Sequence, residues 1–362
     1  MVDGVRPLAP ACPFNTSVEA RGLTPFVPPL ATPHSPFANP GPMQLSLRQL
    51  RYVVAAADAG NVSEAARRLN VSQPSISSAI AEVEAFVGAA LFIRRHGRGV
   101  ALTPAGVRIV NDARLLLKHA EDFAQNAIDQ SSQLKGEIVV GCFLTLAVRF
   151  MPALLARFAQ LYPGVTVILH EGDQEELLAL LLSGRAELAL AYSFALPPEV
   201  LAEALAELPP HAVVAAGHPL ARRQRVSLCE LAHEPFILLD LPYSRDYFFS
   251  LFQAVGAEPR VVFRSRSQEL IQGLVAHGHG FAIQNAIPGS TVAYDGSPIA
   301  VLPLEEPLTP TRIMSLRLKR QAVRPAVEAF ASFLCGAFGP GGPFAPGSIT
   351  PPRTGKVQRR RA

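Results

Sequence analysis

The sequence predicts an α/β plus all-α chain: a winged helix-turn-helix head, one long connecting helix and a C-terminal α/β half of two subdomains. Three observations predict it. Residues 61–84, NVSEAARRLNVSQPSISSAIAEVE, hold two short helical patterns with a tight turn between them. Small and apolar residues recur at 4, 3, 4, 3 spacing from Ala113 to Ala127. Beyond Gly136, short apolar runs alternate with helical patterns, the order of βαβ units around a parallel sheet.

A chain of 362 residues with 49% apolar content has room for two or three domains with a sizeable core. Net charge is +4, too mild to identify a partner by itself. The four cysteines, Cys12, Cys142, Cys229 and Cys335, lie far apart at no metal-ligand spacing, which fits a reduced, cytoplasmic protein. No cofactor or metal is implied. No run of eighteen apolar residues appears, so no membrane partner is expected.

Residues 1–42 are rich in proline and poor in charge, and no basic-then-apolar signal pattern opens them. Disorder is expected there, with Met43 a candidate natural start. A head over 43–102 follows. Leu47 to Ala59 is a helix lined by Leu47, Leu50, Val53, Val54 and Ala57, closed by Gly60-Asn61. Ser63 is the expected cap of the next helix, Glu64 to Leu69. Ser72 caps the one after it, with Pro74 in the first turn where no helical N–H bond is lost. Ala65, Ala66 and Leu69, then Ile76, Ile80, Val83 and Phe86, give the pair a core side.

The other side of the second helix shows Gln73, Ser75, Ser77 and Ser78. A glutamine can pair with an adenine edge, and serines can bond bases or phosphates; a plain solvated serine face is the alternative. Between Met43 and Leu102 seven arginines (Arg48, Arg51, Arg67, Arg68, Arg94, Arg95, Arg98) outnumber four carboxylates (Asp58, Glu64, Glu82, Glu84). Such a surplus supplies affinity for phosphates through counterion release. Leu91 to Thr103 reads as two short strands around a basic glycine turn, a wing whose Arg94, Arg95 and Arg98 reach phosphates or a narrow minor groove, or else a solvated hairpin tip.

Thr103 caps a long helix, with Pro104 at its first position, running to about Gln133 within a 103–135 linker. Ala113, Leu117, Ala120 and Ala124, with Leu116 and Phe123 alongside, form a narrow seam that suits a second chain; packing on its own domain is the alternative.

These features, in this order, resemble the LysR-type transcriptional regulators. The motifs that carry the resemblance are Ala65-Ala66, Ser72-Gln73-Pro74, Ser77, Leu91-Phe92, Arg94 and Leu102-Thr103-Pro104-Ala105-Gly106, within a match from Met43 to about Phe333. The resemblance implies a ligand-responsive regulator of transcription rather than an enzyme. It implies double-stranded DNA with a partly palindromic site, a homodimer or homotetramer, and RNA polymerase as a further partner. Gln73, Pro74 and Ser77 would carry the base contacts. Family members often place Arg, Lys or Gln after the second serine of the reading helix; here Ser78-Ala79 stands there, which shifts affinity to Arg67, Arg68 and the wing. A solute-binding protein or an enzyme on the same α/β fold is the alternative reading.

The α/β half, residues 136–335, then resembles the type 2 periplasmic-binding-protein fold, with subdomain I over 136–193 and 290–335 and subdomain II over 194–289. The chain is expected to cross between them near Tyr192-Ser193 and Asn285-Ala286. Ligands bind outside the carboxyl ends of strands in such sheets, which singles out Leu144, Thr145, Gln174, Tyr192, Asp240, Ser244, Arg245, Ser267 and Asn285. Thr145 is read as a helix cap, and helix N-termini near Thr145 and Ser267 suit a carboxylate. Arg245 is either an anion clamp or half of a surface salt bridge with Asp240 or Asp246, and Asp240 could hold an amine. The effector is therefore expected to be a carboxylate or an amino acid. His277-Gly278-His279 reads as a loop pair rather than a metal site. Val327 to Leu334 is a last helix, and 336–362 a disordered basic tail.

Overall fold

The computed structural model describes residues 45–95, 99–128, 134–287, 289–319 and 323–345. The proline-rich segment, the wing tip with Arg98, and the tail from residue 346 onward lie outside the described residues, as does the side chain of Arg95.

In the head, α1 (Leu47–Ala59) starts in a capping box. Ser46 Oγ accepts from Gln49 N–H, and Gln49 Oε1 accepts from Ser46 N–H. The cap of α2 (Val62–Leu69) is Asn61, not Ser63: Asn61 Oδ1 accepts from the N–H groups of Ser63 and Glu64 at 2.8 and 3.2 Å, which puts Ser63 inside the first turn. Asn70 closes the helix in the left-handed region at φ 53°. Ser72 caps α3 (Gln73–Val87), as its spacing to Pro74 suggests. Val53, Ala56, Ala65, Ala66, Ile76 and Val83 close one small core. Phe86 stands outside it, exposed. Val87, one turn beyond Val83, still packs on that core, while the carboxylate of half-buried Glu84 accepts from the N–H groups of Leu91 and Phe92 at 2.6 and 3.2 Å and anchors the wing.

The wing is β1 (Phe92–Arg95) against β2 (Gly99–Leu102), antiparallel. Val100 N–H donates to Gly60 O at 2.8 Å. Gly99 approaches so closely that a Cβ there would lie 2.1 Å from Gly60 O, so only glycine fits.

Thr103 then caps α4 (Pro104–Ile128), its Oγ1 accepting from Gly106 N–H at 2.9 Å. Two of the four seam residues are filled from within the chain: Ala113 and Leu117 are buried against Leu50 of α1. Leu116 and Phe123 are exposed instead, with Ala124 beside them and Ala120 half-buried.

The body carries a five-stranded sheet in the order β4-β3-β5-β12-β6. Here β3 (Gly136–Phe143) runs parallel to β4 (Val165–Gly172) and β5 (Leu188–Tyr192), but β12 (Thr311–Leu318) pairs antiparallel with β5 and with β6 (Val200–Leu208). The sheet is thus mixed, not purely parallel. The second subdomain joins β7 (His211–Ala215) antiparallel to β10 (Ala282–Gln284) and β11 (Ile299–Pro303), and β8 (Pro235–Leu239) parallel to β9 (Arg260–Ser265). Because β6 belongs to the first sheet and β11 to the second, the crossings fall at Pro209-Pro210 and between Pro303 and Thr311. The expected crossings at Tyr192-Ser193 and Asn285-Ala286 are displaced accordingly.

Helices α5 (Leu144–Leu161), α6 (Gln174–Leu182) and α10 (Pro325–Phe338) cover the first sheet; α7 (Leu228–Leu231), α8 (Ser244–Ala254) and α9 (Gln268–Ala276) belong to the second subdomain. By length and composition α5 could cross a bilayer, yet its Leu146, Phe150, Leu154 and Phe158 are buried in the core, Phe158 edge-on to Phe330 at 4.8 Å. The last helix runs four residues past its expected end at Leu334, and Phe344 folds back on Phe150 and Phe338 at 5.1 and 5.5 Å. Residues 336–345 are therefore packed rather than part of an unstructured tail.

Candidate functional site

The head presents one polar face. Ser72, Gln73, Pro74, Ser75 and Ser78 are exposed at the start of α3, and Ser77 is half-buried. Ser72 Oγ lies 2.7 Å from Ser75 Oγ. Ser78 donates to Glu82 at 2.9 Å, and Gln49 donates to the same carboxylate. These bonds, Gln49's first, hold the Glu82 carboxyl below its usual range. Gln73 is exposed at the first position of α3, where a side chain can project past the helix end.

Arg67 and Arg68 share one counter-charge. Glu64 accepts from Arg67 Nε and Nη2 at 2.9 and 2.8 Å and from Arg68 Nε at 2.8 Å. The bonds from Arg68 and then Arg67 pull its carboxyl below the usual range. Two guanidinium groups on one carboxylate leave a surplus positive charge on an exposed face. Arg94 is exposed on the wing.

The second site lies between the subdomains. Four of the nine residues singled out from strand ends line one cavity: Thr145, Tyr192, Ser244 and Asn285. Thr145 is not a cap. Phe143 holds the cap position of α5 without a side-chain bond, and Thr145 Oγ1 lies 3.0 Å from Tyr192 Oη. Asn285 Nδ2 donates to Leu208 O and to Tyr247 Oη, both at 2.9 Å. Burial pushes the Tyr192 hydroxyl well above its ordinary value, Thr145 offsetting part of the rise, and pushes Tyr247 up to about 12. Both stay neutral phenols at any physiological pH. The cavity is small, about 20 Å³, close to the room one water needs.

The other five stand apart. Leu144, half-buried, does not line the cavity. Gln174 is fully buried behind it, its Nε2 donating to the carbonyls of Tyr192 and Phe194 at 3.2 and 2.8 Å, so it braces the strand end. Asp240 faces Arg245 and Arg264, both at 3.5 Å, and Arg245 reaches Asp246 at 3.8 Å. The anion clamp and the amine holder therefore neutralise each other at the surface. Ser267 caps α9, accepting from Leu270 N–H at 3.1 Å, and donates to Glu269.

Tyr247, Phe248, Gln268 and Thr311 also line the cavity. Gln268 follows Ser267, where the sequence predicts a helix N-terminus, a legible position; Thr311 opens β12, a strand the sequence reading does not include. His277 pairs with Asp295 at 2.8 Å on the surface. Among the described residues no cluster of metal-ligating side chains forms.

Comparison with known proteins agrees with this layout. The profile described as "Bacterial regulatory helix-turn-helix protein, lysR family" matches residues 47–107, and that of the "LysR substrate binding domain" matches 131–338. The chain is 34% identical over 258 residues to the HTH-type transcriptional regulator TfdS of Cupriavidus pinatubonensis, covering 69% of this chain and 84% of the relative. The crystal structure of HinK, a LysR family transcriptional regulator from Pseudomonas aeruginosa, superposes with a TM-score of 0.54 at 38% identity, over 80% of this chain and 97% of that one. A full-length OxyR variant from Pseudomonas aeruginosa, 24% identical, shares the fold at a TM-score of 0.63 over 80% and 97% of the two chains. The chain belongs to the LysR family: it is a DNA-binding transcriptional regulator with a helix-turn-helix head and a substrate-binding domain for its effector.

Proposed function

We propose that α3 reads the major groove through Gln73, Pro74, Ser75 and Ser77, while Arg67, Arg68, Arg94, Arg95 and Arg98 hold phosphates. The observation that carries this reading is the exposed amide and hydroxyl face of α3 beside two guanidinium groups that share a single carboxylate. Base edges then set sequence and phosphates set register. A small molecule in the cleft lined by Thr145, Tyr192, Ser244 and Asn285 changes the angle between the subdomains. It shifts the regulator only by binding one angle better than the other.

The stripe of exposed Leu116, Phe123 and Ala124 with half-buried Ala120 on α4 pairs two copies, so that two reading helices meet half-sites about one helical turn, roughly 34–36 Å, apart. The protein acts in the cytoplasm, by binding rather than turnover, as a homodimer or a tetramer built from it. The experiment is fluorescence anisotropy on genomic fragments selected by the purified chain, at low and high salt. Affinity that is sequence-selective and falls steeply with salt is expected. Absence of salt-sensitive affinity for any duplex overturns the reading.

A further inference from the structure

The cleft is made of rings, amides and hydroxyls. Phe143 meets Tyr192 edge to face at 4.8 Å; Phe194 lies 5.4 Å from Tyr192 and 5.7 Å from Tyr247. Among the described residues, none that lines this cavity carries a formal charge. Of the charged groups close to it in sequence, Asp240 pairs with Arg245 and Arg264 and Arg266 with Asp173, while Arg149 lies outside the lining and donates to the Ile287 carbonyl.

Gln284 differs from its neighbours. It lines the cleft and is 3% exposed. Its Oε1 accepts from Gln272 Nε2 at 3.0 Å, but its own Nε2 has no hydrogen-bond partner among the described residues. A buried donor without an acceptor is costly, and a guest that brings an acceptor removes that cost. Near it, α5 begins at Leu144 without a side-chain cap, so the N–H groups of its first turn also favour an acceptor. Donors and ring faces together describe a flat molecule with an acceptor at its edge.

Charge then separates the candidate classes. A carboxylate would be desolvated with no cation on the lining. A helix end supplies only about half a unit of charge, less than an enclosed anion needs. Tyr192 and Tyr247 report the same penalty, since burial drives both to keep their protons. An ammonium would turn its own N–H groups toward the Gln284 N–H. Resting on the effector-controlled reading above, we infer that the cleft takes an uncharged aromatic molecule bearing a carbonyl acceptor, and that Gln284 Nε2 reads that acceptor. The cavity admits a ring only as the subdomains separate, so binding and opening are one event.

Isothermal titration of the full-length chain with benzamide, benzoate and benzylamine tests this, because the three share a ring and differ in charge and donor pattern. Benzamide is expected to bind at least about tenfold tighter than either ion. Gln284→Glu keeps the acceptor for Gln272 and removes the free donor, and is expected to turn the preference toward benzylamine. Should that variant not fold, Gln284→Met is expected to weaken benzamide about tenfold at an unchanged melting midpoint. Preference of the parent for benzoate or benzylamine, or binding of none of the three, overturns the inference. Duplex affinity measured on the same preparation keeps the two claims apart. Intact salt-sensitive DNA binding with the wrong ligand preference removes only the ligand class; absent DNA binding removes the regulatory reading.

Discussion

Arg324 Nε meets Glu187 Oε1 at 2.7 Å with both side chains 2% exposed, and the same guanidinium holds Asp122 of the linker helix at 2.7 Å. Lys118, one turn earlier on that helix, reaches Glu187 at 3.0 Å. The long helix is thus fastened to the effector domain by a largely buried cluster of four charges. Burial pushes the Glu187 carboxyl up, but the Arg324 hydrogen bonds and the Lys118 charge outweigh it, and its value ends below the ordinary one. A carboxyl depressed in the folded state contributes stability above its unfolded value, near 4.5, and loses it as pH falls through the folded value. Melting curves between neutral pH and pH about 3 should show stability falling across the acid limb. Glu187→Gln should flatten that limb, and Arg324→Ala should cost about 3–5 kcal/mol at neutral pH by taking the shared guanidinium from Asp122 and leaving Glu187 with Lys118 alone. An acid limb identical in Glu187→Gln would remove the cluster from this role.

Arg114 ties three parts of the chain together. Its guanidinium binds Asp58 at the end of α1 at 2.5 Å and donates to the Ser183 carbonyl at the end of α6, while Asn111 donates to the Leu182 carbonyl. The head is thereby linked through one side chain of α4 to the effector domain. Arg114→Ala should uncouple them. Calorimetry is expected to resolve two transitions in the variant where the parent gives one, with affinity for duplex DNA changed by less than about 1 kcal/mol. A single transition in both proteins would count against Arg114 as the link.

Legibility followed the range of the interactions. Ser72, Pro74 and the apolar spacing of α3 are local signals, so that helix, its cap and its exposed Gln73 could be placed from sequence. The cap of α2 shows the limit of local reasoning: Asn61 and Ser63 are both competent, and Asn61 reaches two N–H groups at once. Val200–Leu208, rich in alanine, glutamate and leucine, carries no strand signal; its pairing with Thr311–Leu318 more than a hundred residues later makes it one. The cleft was half legible for the same reason. Thr145, Tyr192 and Asn285 sit at strand ends, whereas Thr311 depends on that distant pairing. For Asp240 and Arg245 the sequence left a ligand clamp and a mutual salt bridge equally open, because it does not show the side chains meeting; in the fold they pair.

Gln73→Ala should separate affinity from selectivity. If the amide reads an adenine edge, its loss costs about 1–3 kcal/mol on the selected site and little on random duplex. Arg94→Ala should instead weaken both by similar amounts and reduce the slope of affinity against salt by about one contact. Competition binding with selected and scrambled duplexes checks both. Equal losses on the two duplexes for Gln73→Ala would place the reading elsewhere on the head.

Leu117 and Phe123 lie on the same helix with opposite fates. Leu117 is 9% exposed and packs with Ala113 on Leu50; Phe123 is 75% exposed. An aromatic ring so exposed is costly in water, and beside Leu116 it makes a patch that a second copy can cover. Phe123→Glu is expected to halve the mass in sedimentation while leaving the melting midpoint of the head unchanged. Leu117→Ala is expected to do the reverse, lowering the stability of the head by about 2–5 kcal/mol through the cavity it leaves with the oligomer intact at low temperature. A mass unchanged by Phe123→Glu but halved by Leu117→Ala would mean that the buried seam, not the exposed stripe, joins the copies, and that Leu50 gives way to the partner when they meet.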